Sequence, residues 1–241
     1  MKQFICNQQL TPGETVTLTG EEFHYLCRVR RMQSGDSLEL SDSDSTRFTG
    51  TLTAIREEEC DLLVKEELLF NQRDYAIHLY LCLCKGKKQD LMIRQAVEAG
   101  VSSITLLNSR YSQVKLSGNE KSKFDRWQKI IKEARQQSGS SVNTGLRELI
   151  SFDELPDAGE DSMGLFCHQE KLAASPLSEM KTRKIREIHL IIGSEGGLAD
   201  SEIEIMKKKG YSSLFLGHNV LRAETASIFA LGTIISSMEL S

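Results

Sequence analysis

Two short segments near the C-terminus hold the residue types best suited to chemistry. The first, Ile191-Ile192-Gly193-Ser194-Glu195-Gly196-Gly197-Leu198, runs from an apolar stretch into three glycines. The second spans Leu214-Phe215-Leu216-Gly217, then His218-Asn219-Val220-Leu221-Arg222 and Ala223-Glu224-Thr225-Ala226. It repeats the plan of apolar stretch, glycine turn, short loop and helix. Glycine admits positive φ and lets main chain approach a ligand closely. A helix start offers unpaired N–H groups. Ligands of open α/β sheets sit beyond the carboxyl ends of the strands, so two such turns side by side make a binding hollow. G-x-G-x-x-G and G-K-[ST] are both missing, so the pattern does not imply a phosphate ligand. Taken singly, each segment is equally well a tight turn between a strand and a helix.

Cations lie in two other places. His24, Arg28, Arg30 and Arg31 cluster near the N-terminus, and Lys85, Lys87 and Lys88 follow the apolar run 77–83. The net charge of −4 hides a strong asymmetry: residues 1–72 carry 7 basic and 13 acidic side chains, residues 73–135 carry 13 and 6. A positive face on an acidic protein suits a nucleic-acid partner, while any one of these lysines alone reads as solvated helix surface. Of the six cysteines only Cys82 and Cys84 are close, within a strand-like run and without a C-x-x-C spacing. They read as reduced thiols, and no metal site is expected. Met1–Cys6 shows no apolar run or cleavage site, and no stretch approaches the roughly 18 apolar residues of a membrane span. The expectation is a cytoplasmic chain with no membrane association.

The elements that must position these groups follow from periodicity. Residues 1–72 read as a small β unit. Thr15-Val16-Thr17-Leu18 alternates polar and apolar, as a half-buried strand does. Residues 38–40, 48–55 and 61–69 are further β-like runs, and residues 21–31 a short helix. From residue 73 onward strands alternate with helices, which argues a parallel sheet covered on both faces. Strands are expected at 77–83, 104–107, 163–167, 187–192 and 214–216. Helices are expected at 87–99, around Trp127, Ile130, Ile131 and Ala134, at 201–209 with Ser201 and Glu204 as a capping box, and at 224–238. Residues 138–160 read as loop. The chain therefore reads as α/β with two domains, 1–72 and 73–241.

The two glycine segments together resemble the small-subunit ribosomal RNA uridine-N3 methyltransferase family, a branch of the SPOUT methyltransferases. The resemblance covers nearly the whole chain. His24-Tyr25-Leu26-Cys27-Arg28-Val29-Arg30-Arg31 with Gly35-Asp36 is similar to that family's N-terminal RNA-binding motif. Lys85-Gly86-Lys87-Lys88, Glu98-Ala99-Gly100-Val101, Val114-Lys115-Leu116, Arg126-Trp127-Gln128-Lys129-Ile130 and Gln137-Ser138-Gly139 match in order and spacing. Departures are Ser194 for a usual proline, Asn219 and Ser140 for arginines, Ala223 for threonine and Arg30 for leucine. Arg110-Tyr111 stands for a glutamate-arginine pair, and Gln136 for glutamate.

The resemblance implies a PUA-like β-barrel over 1–72 and a SPOUT domain with a trefoil knot over 73–241. It implies a homodimer, S-adenosylmethionine as cofactor, and methylation of uridine N3 in 16S ribosomal RNA or the small subunit. The implied cofactor residues are His168, Ile192, Gly193, Glu195, Gly196, Gly197, Leu216, Gly217, Leu221, Arg222, Glu224, Thr225 and Ala226. The implied RNA contacts are His24, Arg28, Arg30, Arg31, Lys85, Lys87 and Lys88. N3 of uridine carries a proton at neutral pH, so a cation near O2 or O4 would favour its anion. Arg222 is the candidate, with pairing to Glu224 or Glu195 as the alternative role. Two rival readings keep the fold: an RNA-binding or assembly protein without catalysis, and a methyltransferase acting on another base.

Overall fold

The computed structural model describes residues 2–69, 73–114, 120–172, 175–180 and 182–239. Lys115, Leu116 and the expected domain boundary at Gln72 lie outside the described residues. The chain divides into two compact units, residues 1–72 with 135–143 and residues 73–134 with 144–241.

In the first unit, β1 (Phe4–Ile5), β2 (Thr15–Thr19), β3 (Ser37–Ser41), β4 (Arg47–Ile55) and β5 (Glu59–Glu67) form one sheet in the order β1-β3-β4-β5-β2. All pairings are antiparallel except β1 with β3. The alternation of β2 comes out as read: Val16 and Leu18 are buried between exposed threonines. Phe4, Leu18, Leu26, Leu40, Leu52 and Leu62 make the core. Full burial of each such side chain contributes about 2 kcal/mol. Register shifts at Phe48/Gly50 and Leu52/Ala54 break the β4–β5 ladder, as bulges that bend a strand do.

The short helix expected over 21–31 is wound differently. α1 (Gly20–Phe23) is a single α turn that passes into a π-helix, His24–Val29. Arg30 N donates to Tyr25 O, five residues back, at 2.9 Å. The wider winding keeps Phe23 and Leu26 in the core while His24, Arg28, Arg30 and Arg31 face water. Arg31 ends it at φ 56°.

Residues 135–143 join this unit through buried polar contacts. Gln3 Nε2 donates to Arg135 O at 3.0 Å and Ser140 O at 2.8 Å, and Ile5 N donates to Gln136 Oε1 at 3.2 Å.

The second unit is a six-stranded parallel sheet. Its strands are β6 (Ala76–Cys82), β7 (Ser103–Leu107), β8 (Gly145–Ile150), β9 (Ser162–His168), β10 (Glu187–Ile192) and β11 (Ser212–Phe215), in the order β11-β9-β10-β6-β7-β8. Alternate residues feed two cores. Ile77, Leu79 and Leu81 of β6 and Ile188, Leu190 and Ile192 of β10 pack with α2 (Lys87–Glu98), α3 (Lys121–Ser138) and α6 (Ala223–Glu239). Tyr80, Cys82 and Ile191 face the other way, onto Ile203 and Met206 of α5 (Asp200–Lys208). A short helix, α4 (Leu177–Met180), precedes β10.

Two expectations are corrected. Residues 138–160 are not all loop, because β8 occupies Gly145–Ile150. It is an edge strand carrying the charges of Arg147 and Glu148, with a register shift at Thr105/Leu106, so its alternation is blurred. Ser201 and Glu204 do not cap α5. That helix starts earlier, at Asp200, and Glu202 Oε2 accepts the Ala199 N–H at 2.7 Å.

Candidate active site

The carboxyl ends of β9, β10 and β11 open onto one cleft of about 420 Å³. Residues 167–169 at the end of β9, 192–198 at the end of β10, and 216, 217 and 219–223 after β11 line it, with Lys88 of α2 and Ala226 of α6. This is where a parallel sheet offers ligand space, and the volume falls within the range of about 300–1,000 Å³ of small-molecule sites.

The glycines act in the two ways the sequence suggests, by close approach at Gly193 and Gly196 and by positive φ at Gly197 and Gly217. A Cβ on Gly193 would stand 3.2 Å from Leu198 Cγ and 3.3 Å from Gly197 C. One on Gly196 would stand 2.8 Å from Tyr111 Cβ. Gly197 holds φ 78°, and its N–H closes the turn on Ser194 O at 2.9 Å. Bare main chain therefore forms much of the wall.

Charges brace the turn. Glu195 Oε1 accepts from Lys88 Nζ at 3.1 Å and from Lys85 N at 3.2 Å. Partial burial opposes ionisation of this carboxyl, but hydrogen bonds from its own N–H, Lys88 and Lys85 outweigh it and hold its pKa below the usual range. Beneath it, burial first and Glu195 second push the Cys84 thiol up to about 12. Burial likewise raises Cys167, in the cleft wall, to about 12. Neither thiol is a thiolate at neutral pH, so neither is an activated nucleophile. Below the cleft the buried Glu202 fastens two loops: its Oε1 accepts from Arg110 N at 2.7 Å and its Oε2 from Ser109 Oγ at 3.3 Å.

His168, Ile192, Gly193, Glu195, Gly196, Gly197, Leu216, Gly217, Leu221, Arg222 and Ala226 thus lie around one hollow, and Lys88 joins them. Glu224 and Thr225 do not line it. Thr225 faces water, and Glu224 is half-buried with Oε2 sealed from solvent and without a hydrogen-bond partner among the described residues. Lys85 meets the site through its main-chain N–H, its side chain being exposed, and Lys87 is exposed too. In the first unit, Arg28 lies over the Phe23 ring at 5.3 Å and donates to Glu57 O at 2.8 Å, while His24, Arg30 and Arg31 are exposed. Leu198 and Val220 of the wall sit inside the two glycine segments, but sequence reasoning gives them no role there; it does not pick out Cys167 and Gln169 in the wall, or Tyr111 and Glu202 behind it. Their signal is tertiary proximity, which spacing does not encode. Among the described residues no group of three or more His, Cys, Asp or Glu is placed to hold a metal, and no helix is long and apolar enough to cross a membrane.

Residues 71–235 match the RNA methyltransferase domain family, and residues 18–65 match the RNA methyltransferase PUA domain. A Synechocystis protein named ribosomal RNA small subunit methyltransferase E is 30% identical over 93% of this chain and 74% of its own. The chain belongs to the ribosomal RNA small subunit methyltransferase E family. Family members from Borreliella burgdorferi (28% identical; 99% of this chain, 98% of the relative) and Bacillus subtilis (29%; 98% and 95%) align end to end. A Legionella pneumophila protein, solved with the cofactor SAM bound, superposes with TM-score 0.85 at 27% identity over 98% of this chain and 97% of that one. The methyltransferase E of Neisseria gonorrhoeae shares the fold at TM-score 0.88 and 23% identity, over the same shares of the two chains.

Proposed function

We propose that this chain transfers the methyl group of S-adenosylmethionine to N3 of a uridine in 16S ribosomal RNA of the small subunit. The observation that carries the reading is the convergence of three strand ends on one hollow walled by bare glycine main chain and flanked by two cations. The residues present fit an adenosyl ligand. Leu216, Leu221 and Ile192 offer apolar surface to a flat base, and the peptide groups of 193–197 offer donors and acceptors at close range. Family membership and the SAM-bound Legionella relative support the same cofactor.

When bound, S-adenosylmethionine supplies an electrophilic methyl on a sulfonium. The chain's own residues position and polarise. Transfer needs the attacking nitrogen in line at about 3–3.5 Å, so holding the base is the main contribution. Arg222 is exposed at the cleft wall, and its role in this reading is to meet the negative charge that develops on uridine O2 or O4. Lys88, held by Glu195, is a second cation at the same wall. Glu195, committed to Lys88, and Glu224, off the cleft wall, are not assigned as the acceptor of the N3 proton.

The remaining parts of the reading follow. The sheet of the first unit belongs to a PUA-like barrel over residues 1–72, and His24, Arg28, Arg30 and Arg31 contact RNA phosphates there. Residues 73–241 form a SPOUT domain whose C-terminal segment is threaded as a trefoil knot. This is supported by the path of the chain from edge strand β11 back to α6, which packs on α2. Two copies pair through α6, whose Ile228 and Phe229 are exposed along with nearby Val220. A helix apolar all round is one that has a second partner. The chain works in the cytoplasm, with the ribosome.

Titration calorimetry tests the cofactor. One S-adenosylmethionine bound per chain is expected, and no heat of binding at millimolar ligand would overturn the proposal.

A further inference from the structure

We infer that Tyr111 is a stacking platform for an unstacked nucleobase of the RNA, a binding residue at the rim of the cleft. The inference rests on the RNA-methylating function proposed above. Tyr111 follows β7, and the residue is 46% exposed although it is a large aromatic. Its main chain is fixed. Glu202 holds Ser109 Oγ and Arg110 N, and Ser112 N donates to Ser109 O at 3.2 Å to close the turn. The loop lies close against the cleft wall, since a Cβ on Gly196, a wall residue, would stand 2.8 Å from Tyr111 Cβ and 3.3 Å from Tyr111 O. The result is an aromatic side chain, open to water, carried on a braced loop that lies against a residue of the cleft wall.

The chemistry of the substrate asks for such a face. N3 lies on the pairing edge of uracil, so the base must be unpaired and drawn out of its stack before it can react. Drawing it out strips a π face from the base itself or from its neighbour. Aromatic side chains replace lost stacking without reading sequence, at a cost on truncation of roughly 5- to 100-fold in binding. A phenol ring does this as well as a phenyl ring, because the face and not the hydroxyl makes the contact.

The test compares full-length wild type, Tyr111→Phe and Tyr111→Ala on small ribosomal subunits lacking the methyl group, with S-adenosylmethionine affinity measured separately. The expected result is an RNA KM raised about tenfold in Tyr111→Ala and within twofold of wild type in Tyr111→Phe. Cofactor Kd and kcat stay within twofold in both. An active wild type with an unchanged KM in Tyr111→Ala overturns this inference alone. So does a Tyr111→Ala whose cofactor Kd rises as much as its KM, since the ring would then only prop Gly196. A wild type that binds no cofactor and transfers no methyl group removes the proposed function and this inference with it.

Discussion

Lys88 Nζ lies 3.1 Å from Glu195 Oε1, and through that contact the first turn of α2 is tied to the glycine loop after β10. The two residues are 107 positions apart in sequence, and both lie at the cleft. Glu195 also takes the Lys85 N–H. The carboxylate therefore sets the spacing of two loops. Glu195→Gln keeps the shape and removes the charge. It should weaken S-adenosylmethionine binding about fivefold, the modest figure suited to a partly exposed pair. The sign of the pH effect follows from the lowered pKa of Glu195. The pair contributes fully above the ordinary carboxylate range and is lost as pH falls through the depressed value. Wild-type affinity should thus hold from neutrality down to about pH 5, with Glu195→Gln weaker throughout. Calorimetry at several pH values checks both.

Gly196→Ala attacks the same loop by volume. Its Cβ would meet Tyr111 Cβ at 2.8 Å and Tyr111 O at 3.3 Å. Main chain cannot yield as a flexible side-chain tip can, so the two loops must part. The expected cost is about 1–3 kcal/mol of stability, read by urea unfolding, and a cofactor Kd raised at least tenfold.

Arg222 lines the cleft from an exposed position before α6. If its charge acts on the uridine rather than on the cofactor, Arg222→Ala should lower kcat by 100-fold or more, in line with loss of one electrostatic stabiliser. Cofactor Kd should change less than threefold. Single-turnover kinetics at saturating cofactor measures the difference, and near-normal turnover would remove Arg222 from the reaction.

Glu202 is buried and accepts three hydrogen bonds, from Ala199 N, Arg110 N and Ser109 Oγ. Glu202→Ala leaves those donors unpaired and should cost about 3 kcal/mol. Because it releases the loops on both sides of Gly196, cofactor affinity should fall in parallel. Chemical unfolding and calorimetry on the same sample test the link.

His189 sits in the sheet face under α5, with its Nδ1 3.2 Å from Tyr80 Oη and its ring stacked on His78 at 5.2 Å. Tyr211 packs against it, and Glu187 lies 3.6 Å from Nε2. Burial, and then the neighbouring His78, lower its pKa to about 4. The unfolded chain binds that proton more readily. Stability is complete above about pH 6.5 and is lost as pH falls from there toward 4, by up to about 1.4 kcal/mol per pH unit. His189→Gln should flatten this part of the profile, measured as thermal midpoint against pH.

The sequence made most of the second unit legible because buried parallel strands are nearly continuous apolar runs: β6, β7, β9 and β10 fall within a residue or two of their expected places. β8 was hidden by Arg147 and Glu148 on an edge strand. The π winding of His24–Val29 was hidden because apolar spacing reports which residues face inward and not which carbonyl each N–H reaches. Nor does any local pattern show that residues 135–143 join the first unit, since Gln3, Gln136 and Ser140 meet only after folding. At the site, glycines declared themselves because their spacing is local. Tyr111, Glu202 and Cys167 did not, because their roles come from loops brought together by the sheet.

The central claim is that the cleft serves methyl transfer to a uridine of small-subunit ribosomal RNA. It is tested most directly by incubating the protein with unmethylated small subunits and S-adenosylmethionine carrying an isotopic methyl label, then digesting the RNA for nucleoside mass analysis. The account predicts one labelled nucleoside, N3-methyluridine, from the 16S chain. Label in any other nucleoside, or none in the RNA, would contradict it.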